Sequence, residues 1–398
     1  MSAMDLTFAW VVMVMATLLA LPAFSLLLLV MAAGNQPRSR LTQEIPDDMR
    51  VVVLVPAHNE SNHVVPTIAS LLTQLGAQDR VLVIADNCDD DTAQQARAAG
   101  ADVVERFDST RRGKGYALAF GVDALRDDPP DVVLVVDADC QVSGSGVRLI
   151  AAQSLSSGCP VQMLDLMVAP SGASLRTRML AFAWLMKNQV RPQGTQHLGQ
   201  ACHLMGTGMA LPWRLISKAQ LATGHVAEDM KLGVDFTLAG LAPKFSQDAC
   251  VVSYFPTSSE VARVQKSRWE HGHLQTLREE LPRLLISALR QPHCAKWTLA
   301  LDLMIPPMAL YVMLLFSVGL SVWLCAMFLP QLNAALVVLW AGQISLVVAV
   351  LLSWWRFARQ LLSLREMLTT PWYALWKLPV YLSYFAKRRV GWIRTKRD

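Results

Sequence analysis

Three long apolar stretches constrain this chain of 398 residues more than any other feature of its sequence. The first runs from Leu6 to Gly34 without a charge, the second from about Leu303 to Pro330, and the third from about Asn333 to Trp355. Each can cross a bilayer as a helix, because about 20 apolar residues suffice. The last two stretches are nearly contiguous, which predicts a helical hairpin. We therefore expect membrane lipids to cover part of the protein.

We expect the first stretch to be retained as a span and not to be cleaved as a signal peptide. A signal peptide begins with basic residues, but the segment from Met1 to Asp5 has none. The apolar run is also longer than the core of a signal peptide.

Lysine and arginine residues predict the orientation of the spans. Arg38 and Arg40 follow the first span, Arg290 and Lys296 precede the second, and the short loop at Gln331 has no basic residue. The positive-inside rule then places the N-terminus outside and the middle region and C-terminus in the cytoplasm, in a bacterial-type inner membrane.

The basic character of the chain is concentrated at its C-terminus. From Arg356 onward there are ten Lys or Arg residues against Glu366 and Asp398. This local charge predicts contact with a membrane surface and argues against nucleic acid as a partner. The segment from Trp372 to Trp392 is predicted to be an in-plane amphipathic helix, and a fourth span is the alternative. The seven cysteines form no C-x-x-C pair, so we expect reduced thiols.

Between the first two spans, short apolar runs alternate with helical patterns. This alternation predicts an α/β fold with a mostly parallel sheet and covering helices, plus the transmembrane helices and interfacial amphipathic helices. Ligands of such sheets bind beyond the carboxyl ends of the strands. The predicted strands are Arg50–Pro56, Arg80–Ala85, Asp102–Glu105 and Asp131–Val136, and the predicted helices are Val64–Leu75, Thr92–Ala99 and Lys114–Leu125.

The predicted organisation has five parts. They are an N-terminal transmembrane helix at 1–34, a cytoplasmic catalytic domain at 35–260, interfacial helices at 261–298, a two-helix transmembrane hairpin at 299–356, and a basic amphipathic segment at 357–398. Further helices are predicted at Ser174–Asn188 and at Val261–Leu289, the latter with a break at Pro282.

Two carboxylates, Asp137 and Asp139, directly follow the most apolar strand. Mg²⁺ is usually held by one or two carboxylates together with substrate phosphates. The pair therefore predicts a metal site, and a solvated acidic turn is the alternative.

Two charged loops precede this pair. Asp86 begins an acidic loop after the second strand; an N-cap role explains Asp90 or Asp91 but does not need Asp86, which we assign to the base or ribose of a bound nucleotide. Lys114 lies in the basic turn from Arg111 to Gly115, which is predicted either to bind phosphate or to be a solvated loop.

Two further motifs lie towards the second span. Glu228 and Asp229 open a predicted helix, so one acid can complement the helix dipole while the other, Asp229, serves as a general base. Gln265, Arg268 and Trp269 follow at Q-x-x-R-W spacing. Arginine suits bidentate phosphate recognition, and tryptophan offers a flat surface to a sugar ring.

In this order the motifs resemble the family 2 glycosyltransferases, which are integral-membrane, inverting enzymes with a GT-A fold. The family includes cellulose and hyaluronan synthase-like enzymes and ceramide glucosyltransferase-like enzymes. Each motif is weak alone, but the ordered set is specific. The residues that carry the resemblance are Pro56, Ala57, Asn59, Glu60, Asp86, Lys114, Asp137, Asp139, Gly206, Thr207, Gly208, Glu228, Asp229, Gln265, Arg268 and Trp269.

The resemblance implies a UDP-sugar donor, a Mg²⁺ or Mn²⁺ cofactor, and a lipid-linked or growing polysaccharide acceptor, with polysaccharide-assembly subunits as possible partners. It implies that Asp229, next to Glu228, deprotonates the acceptor, so that inversion gives a β-linked product. It places Asp139 and Asp137 at the metal. The residues implied to bind the donor or frame the acceptor are Pro56, Ala57, Asn59, Glu60, Asp86, Lys114, Asp137, Gly206, Thr207, Gly208, Gln265, Arg268 and Trp269.

Two alternatives remain open from the sequence. One is a processive β-glycan synthase that extrudes its polymer, although the small number of predicted spans favours single addition. The other is a non-catalytic membrane scaffold or export subunit with a degenerate nucleotide-binding fold, against which the acids Asp137, Asp139 and Asp229 argue.

Overall fold

The computed structural model describes residues 3–34, 44–144, 146–255 and 259–369, which form two compact units. One unit comprises the described residues of 1–34, 171–198 and 300–391, and the other those of 35–170 and 199–299. The amphipathic helix predicted at Trp372–Trp392 lies outside the described residues.

An eight-stranded sheet forms the centre of the larger unit, with strand order β3-β2-β1-β4-β7-β6-β8-β5. Four of its strand pairs are parallel and three are antiparallel. The strands are β1 (Val51–Ala57), β2 (Arg80–Asp86), β3 (Asp102–Arg106), β4 (Val132–Val135), β5 (Gln141–Val142), β6 (Val161–Val168), β7 (Met209–Pro212) and β8 (Lys244–Tyr254).

The helices belong to both units and include two π-helical turns, at Met186–Val190 and Trp354–Ala358. They are α1 (Ala3–Ala32), α2 (Val64–Leu72), α3 (Thr92–Ala98), α4 (Lys114–Ala124), α5 (Gly146–Ser157), α6 (Leu175–Leu185), α7 (Arg191–Gly199), α8 (Trp213–Ile216), α9 (Glu228–Leu238), α10 (Ser259–Arg290), α11 (Cys294–Leu303), α12 (Met308–Ala326), α13 (Asn333–Ser353) and α14 (Leu364–Met367).

Strand β1 is buried on both faces, which explains its continuous apolar run. Its residue Val53 belongs to one core cluster, which includes Ile68 of α2. The adjacent residue Leu54 belongs to a second cluster, which includes Leu118 of α4. Successive side chains of a strand point to opposite faces, so both faces of the sheet are covered by helices. The predicted α/β fold with covering helices is confirmed, and its parallel half is β3-β2-β1-β4.

The predicted break at Pro282 is wrong, because α10 runs through this residue from Ser259 to Arg290. A proline removes one helical hydrogen bond and crowds the preceding turn. Pro282 lies at an exposed position, whereas Leu284 and Ala288 in the following turn are completely buried. Packing of this apolar side offsets the local cost of the proline.

Among its described residues, the smaller unit contains three helices that are long and apolar enough to cross a membrane. Tyr311 of α12 donates a hydrogen bond to the carbonyl of Leu19 in α1 at 2.8 Å. Gly342 of α13 lies against Ala20 of α1, so these helices approach closely. The helix of the second predicted span begins at Met308 and not near Leu303, because two prolines separate it from α11.

A buried ion pair lies in the same unit. Nε of Arg191 is 2.6 Å from Oδ1 of Asp302, and the guanidinium also donates to the carbonyl of Asp302 at 2.8 Å. Both side chains are 7% exposed. Arg191 directly follows the π-helical turn that interrupts the helix predicted at Ser174–Asn188.

Candidate active site

The parallel half of the sheet brings two predicted acids to one edge. Strands β2, β1 and β4 are neighbours and run in the same direction, so their carboxyl ends coincide. Asp86 is the last residue of β2, and Asp137 follows β4 by two residues. This edge is where ligands bind in open α/β sheets.

Lys114 lies at the centre of the charged groups. It is the first residue of α4, and its ammonium donates to the Asp137 carboxylate and, at 2.7 Å, to the carbonyl of Gly206. Burial alone would lower the pKa of Lys114, but the negative charges of Asp137, Glu228 and Asp229 outweigh it and raise the pKa above its usual value. The side chain of Lys114 therefore stays protonated and places a positive charge among three acids.

The predicted Gly206–Gly208 motif forms a tight turn before β7. Gly206 has φ +88° and Gly208 has φ +66°, a backbone region that glycine adopts without steric cost. A Cβ on Gly206 would lie 3.1 Å from Oδ2 of Asp229 and 3.3 Å from Nζ of Lys114. The turn thus carries its backbone into the space between the lysine and the predicted base.

Gln162 holds this turn and was not identified from the sequence. Its amide nitrogen donates to the carbonyl of Thr207 at 2.7 Å, and its amide oxygen accepts from the backbone N–H of Met205 at 2.8 Å. The hydroxyl of Thr207 in turn accepts from the backbone N–H of Asp137 at 3.2 Å. The only signal in the sequence was a glutamine within the apolar strand β6.

The predicted acid pair opens α9, as expected. Asp229 accepts a hydrogen bond from the backbone N–H of Met230 at 2.8 Å, and its Oδ2 is the atom that a Cβ on Gly206 would approach most closely. Burial and the neighbouring charge of Asp229 raise the pKa of Glu228 to about 7, while Lys114 opposes this rise. Both carboxylates are close enough to Lys114 for their charges to raise its pKa, and Asp229 is the one that lies against the glycine turn.

The D-x-D segment has a donor set that fits a divalent cation. Ligand atoms of Asp137, Asp139 and Cys140 lie within 4.8 Å of one another. The carboxylate oxygens match the ligands preferred by Mg²⁺ and Mn²⁺. Burial and the nearby carboxylates raise the pKa of the Cys140 thiol well above its usual value, and the thiol donates to Oδ1 of Asp139 at 3.6 Å. Thr67 of α2 fixes the backbone of the segment by donating to the carbonyl of Ala138 at 2.8 Å.

Asp86 is held by a network that the sequence did not reveal. Oδ1 of its carboxylate accepts from Arg106 at 2.6 Å and from the side chain of Asn87 at 2.8 Å. Its carbonyl is 2.7 Å from Nδ1 of His58. Asn87 has φ +53°, which asparagine tolerates better than most residues.

The loop after β1 is tied to the acidic loop after β2. Pro56 and Ala57 are the last residues of β1. Asn59, which has φ +55°, exchanges hydrogen bonds with Asp89, and the backbone N–H of Glu60 donates to the hydroxyl of Thr92 at 2.9 Å.

The N-cap residue of α3 is Asp91, whose side chain makes no capping hydrogen bond, and the preceding residue Asp90 holds the start of the helix instead. Oδ1 of Asp90 accepts hydrogen bonds from both the backbone N–H and the hydroxyl of Thr92, the first residue of α3. The start of α3 therefore accounts for Asp90 and not for Asp86, as expected from the sequence.

The Q-x-x-R-W motif lies on α10. Gln265 is buried, and Arg268 and Trp269 are partly buried. Gly272, four residues after Arg268, comes close to Ala227, since a Cβ on Gly272 would lie 3.1 Å from the Cβ of Ala227. Residues four apart share one face of a helix, so Arg268 lies on the face of α10 that meets the start of α9. The described contacts place Arg268 on the face of α10 towards the start of α9, and none of them links Arg268 directly to the acids of the site.

A comparison with known families agrees with these observations. Residues 46–272 match the family model described as glycosyltransferase like family 2. The chain belongs to this family. The predicted resemblance to family 2 glycosyltransferases is therefore confirmed for the α/β region. No curated protein sequence matches this family 2 chain.

Solved structures similar to this family 2 chain include two kinds of enzyme. One is a mannosyltransferase from Pyrobaculum calidifontis in complex with GDP-Man and Mn²⁺, with 16% identity, coverage of 85% of this chain and 99% of that chain, and a TM-score of 0.47. The other is glucosyl-3-phosphoglycerate synthase from Mycobacterium tuberculosis in complex with Mn²⁺, UDP and phosphoglyceric acid, with 20% identity, coverage of 56% and 77%, and a TM-score of 0.36.

Proposed function

We propose that this chain is a membrane-bound inverting glycosyltransferase that moves a sugar from a UDP-sugar to a hydroxyl of a lipid-linked or growing polysaccharide acceptor. The observation that carries the proposal is the arrangement around Lys114. Its ammonium contacts Asp137 and Gly206, and Oδ2 of Asp229 lies against the same glycine. A carboxylate suited to a metal ion (Asp137), a cation (Lys114) and the proposed base (Asp229) thus lie close together beside one edge of the sheet.

In this proposal each residue has a separate task. Asp229 accepts the proton of the acceptor hydroxyl as it attacks the anomeric carbon. Lys114 offsets negative charge on the diphosphate, and Arg268 and Trp269 hold the diphosphate and frame the acceptor. A single displacement inverts the configuration, so an α-linked donor gives a β-linked product.

We propose that Mg²⁺ or Mn²⁺ binds at Asp137 and Asp139, whose oxygens fit a hard divalent cation. When bound, such a cation neutralises charge on the diphosphate leaving group. Cys140 is not a third ligand in this proposal, because Mg²⁺ and Mn²⁺ prefer oxygen ligands to a thiol.

We also propose that the catalytic unit lies in the cytoplasm of a cell with a bacterial-type inner membrane, with the N-terminus outside. Three candidate spans and the distribution of basic residues support this placement. The interfacial helices at 261–298 and the basic segment at 357–398 belong to the same proposal. Single cysteines introduced at Ser2 and at Asp127, in a variant whose seven native cysteines are replaced by serine, would test it. A membrane-impermeant thiol reagent added to intact cells should label only the first.

The test of activity uses the full chain purified in detergent with a panel of UDP-sugars. We expect acceptor-dependent release of UDP for one sugar, and mass measurement of the product should show the sugar added to the acceptor. Asp229→Asn and Asp139→Asn should each lower the rate by about 100-fold or more.

Asp128→Asn is a matched control, because Asp128 pairs with Arg50 at the surface and is more than half exposed. It should leave the rate unchanged. UDP release that persists at the wild-type rate in both Asp229→Asn and Asp139→Asn would contradict the proposed chemistry. Long polymer made from UDP-sugar alone would instead replace single addition with processive synthesis.

A further inference from the structure

Arg106 is a buried cation at the same sheet edge that the proposed mechanism does not use. It is the last residue of β3 and lies directly opposite Asp86 in the parallel register of β2 and β3. Residues opposite one another in a sheet point to the same face, so the two side chains meet. Arg106 is 9% exposed and forms an ion pair with Asp86 at 2.6 Å.

Because of this ion pair, the two carboxylate oxygens of Asp86 differ in the number of hydrogen bonds that they accept. Oδ1 accepts one hydrogen bond from Arg106 and a second from Asn87. An oxygen of a carboxylate offers about two lone-pair sites, so Oδ1 is saturated. Within the part of the chain that the structure describes, no group donates to Oδ2 of Asp86. The carboxylate therefore has one oxygen, Oδ2, that can still accept a hydrogen bond.

The number of accepting oxygens distinguishes one nucleobase from another. Uracil presents a single imide N–H between two carbonyl oxygens, and one carboxylate oxygen satisfies it. Guanine presents two adjacent N–H donors, which require both oxygens of a carboxylate for a two-bond contact. A guanine at this place would leave one donor without an acceptor, and an unsatisfied buried donor is costly.

We infer that Arg106 is a positioning residue that makes Asp86 select uracil over guanine in the donor nucleotide. This inference rests on the proposed function and on the sequence-based assignment of Asp86 to the base of the donor. Arg106 acts through Asp86 and does not touch the base itself.

Further contacts fix the position of Arg106. Its NH2 nitrogen donates to Oδ2 of Asp108 at 3.1 Å and to the carbonyl of Arg111 at 2.6 Å, and its guanidinium lies 5.9 Å from the ring centre of Tyr116. Both hydrogen-bonded partners belong to the loop that leads to Lys114. The planar fork of arginine satisfies three acceptors at once, which a lysine ammonium cannot do in the same geometry.

The experiment compares the affinities of UDP and GDP for the full chain purified in detergent with Mn²⁺. We expect the wild type to bind UDP about tenfold or more tightly than GDP. Arg106→Gln should weaken UDP binding by about tenfold, because a charge-assisted bond that orients Asp86 is lost. It should also improve GDP binding relative to UDP, because Oδ1 becomes available. In steady-state sugar transfer by Arg106→Gln, the KM for the UDP-sugar donor should rise while kcat stays near the wild-type value.

Arg97→Gln is the matched control, because Arg97 forms an ion pair with Glu105 of the same strand but is 51% exposed. It should leave both affinities unchanged. Asn87→Gly is a second test variant, since glycine tolerates φ +53° and the change removes the other donor to Oδ1. It should also lower the ratio of UDP affinity to GDP affinity, even if Arg106→Gln fails to fold.

The outcomes separate this inference from the proposed function. Equal binding of UDP and GDP by the wild type, with sugar transfer intact, overturns the inference alone. An unchanged affinity ratio in Asn87→Gly and in any folded Arg106→Gln protein also overturns it, because both residues would then be merely structural. A wild type that binds neither nucleotide overturns the proposed function together with the inference.

Discussion

Replacement of Gly206 by alanine tests whether this glycine is needed for activity as well as for stability. The loss of stability comes from backbone strain, and the loss of activity comes from displacement of neighbouring site residues. Gly206 has φ +88°, so any side chain there costs roughly 1–2 kcal/mol of unfolding free energy. The new Cβ would also lie 3.1 Å from the Asp229 carboxylate and 3.3 Å from the Lys114 ammonium, so these groups must move by a few tenths of an ångström. Small displacements of reacting groups are costly to catalysis, and we expect kcat/KM to fall roughly 10- to 100-fold. This fall corresponds to about 1.4–2.7 kcal/mol of transition-state stabilisation.

Gly240→Ala is the matched control for this prediction. Gly240 has φ +80°, and a Cβ there meets nothing within 4 Å. Thermal melts should therefore show a similar loss of stability in both alanine variants, whereas steady-state sugar transfer should fall only in Gly206→Ala. Equal rates in the two variants would refute the placement of Asp229 and Lys114 at the reacting centre.

Three further predictions concern stability and pH. Asp302→Leu should lower the unfolding free energy by about 3–5 kcal/mol, because it removes the counterion of buried Arg191; thermal melts should show that adding Arg191→Met recovers much of the loss. Gln162→Leu should cost at least about 1–3 kcal/mol in the same assay, since it leaves two buried backbone groups of the glycine turn without their partner. The raised pKa of Glu228, about 7 against an ordinary 4.5, means that its carboxyl takes up protons on folding. Wild-type stability should therefore fall as pH rises from 4.5 to 7, and Glu228→Gln should flatten that part of a melting-temperature profile.

The parallel half of the fold was predictable because its signal is local. Strands β1 and β4 are short continuous apolar runs, and such runs fit strands covered on both faces. The other half gave no comparable signal: β5 has two residues, and β8 mixes polar and apolar residues along its length. Their pairing depends on partners distant in the chain, as for Gln141 and Val252.

The acids of the site were predictable for the same reason, whereas the residues that hold them were not. Asp137 and Asp139 stand out because they follow a buried strand within one short segment. Arg106 and Gln162 acquire their roles from partners 20 and 45 residues away, Asp86 and Thr207. A sequence pattern indicates relations between residues that are close along the chain. It does not reveal tertiary contacts between residues this far apart in sequence.

The contact between Lys114 and Asp137 has a consequence for the order of events when a donor arrives. The ammonium contacts a carboxylate oxygen that, in the proposed function, would also hold a divalent cation. A cation held by Asp137 would compete with Lys114 for that oxygen and would leave the ammonium available to the diphosphate. In the structure, Lys114 offsets the repulsion between the acids around it.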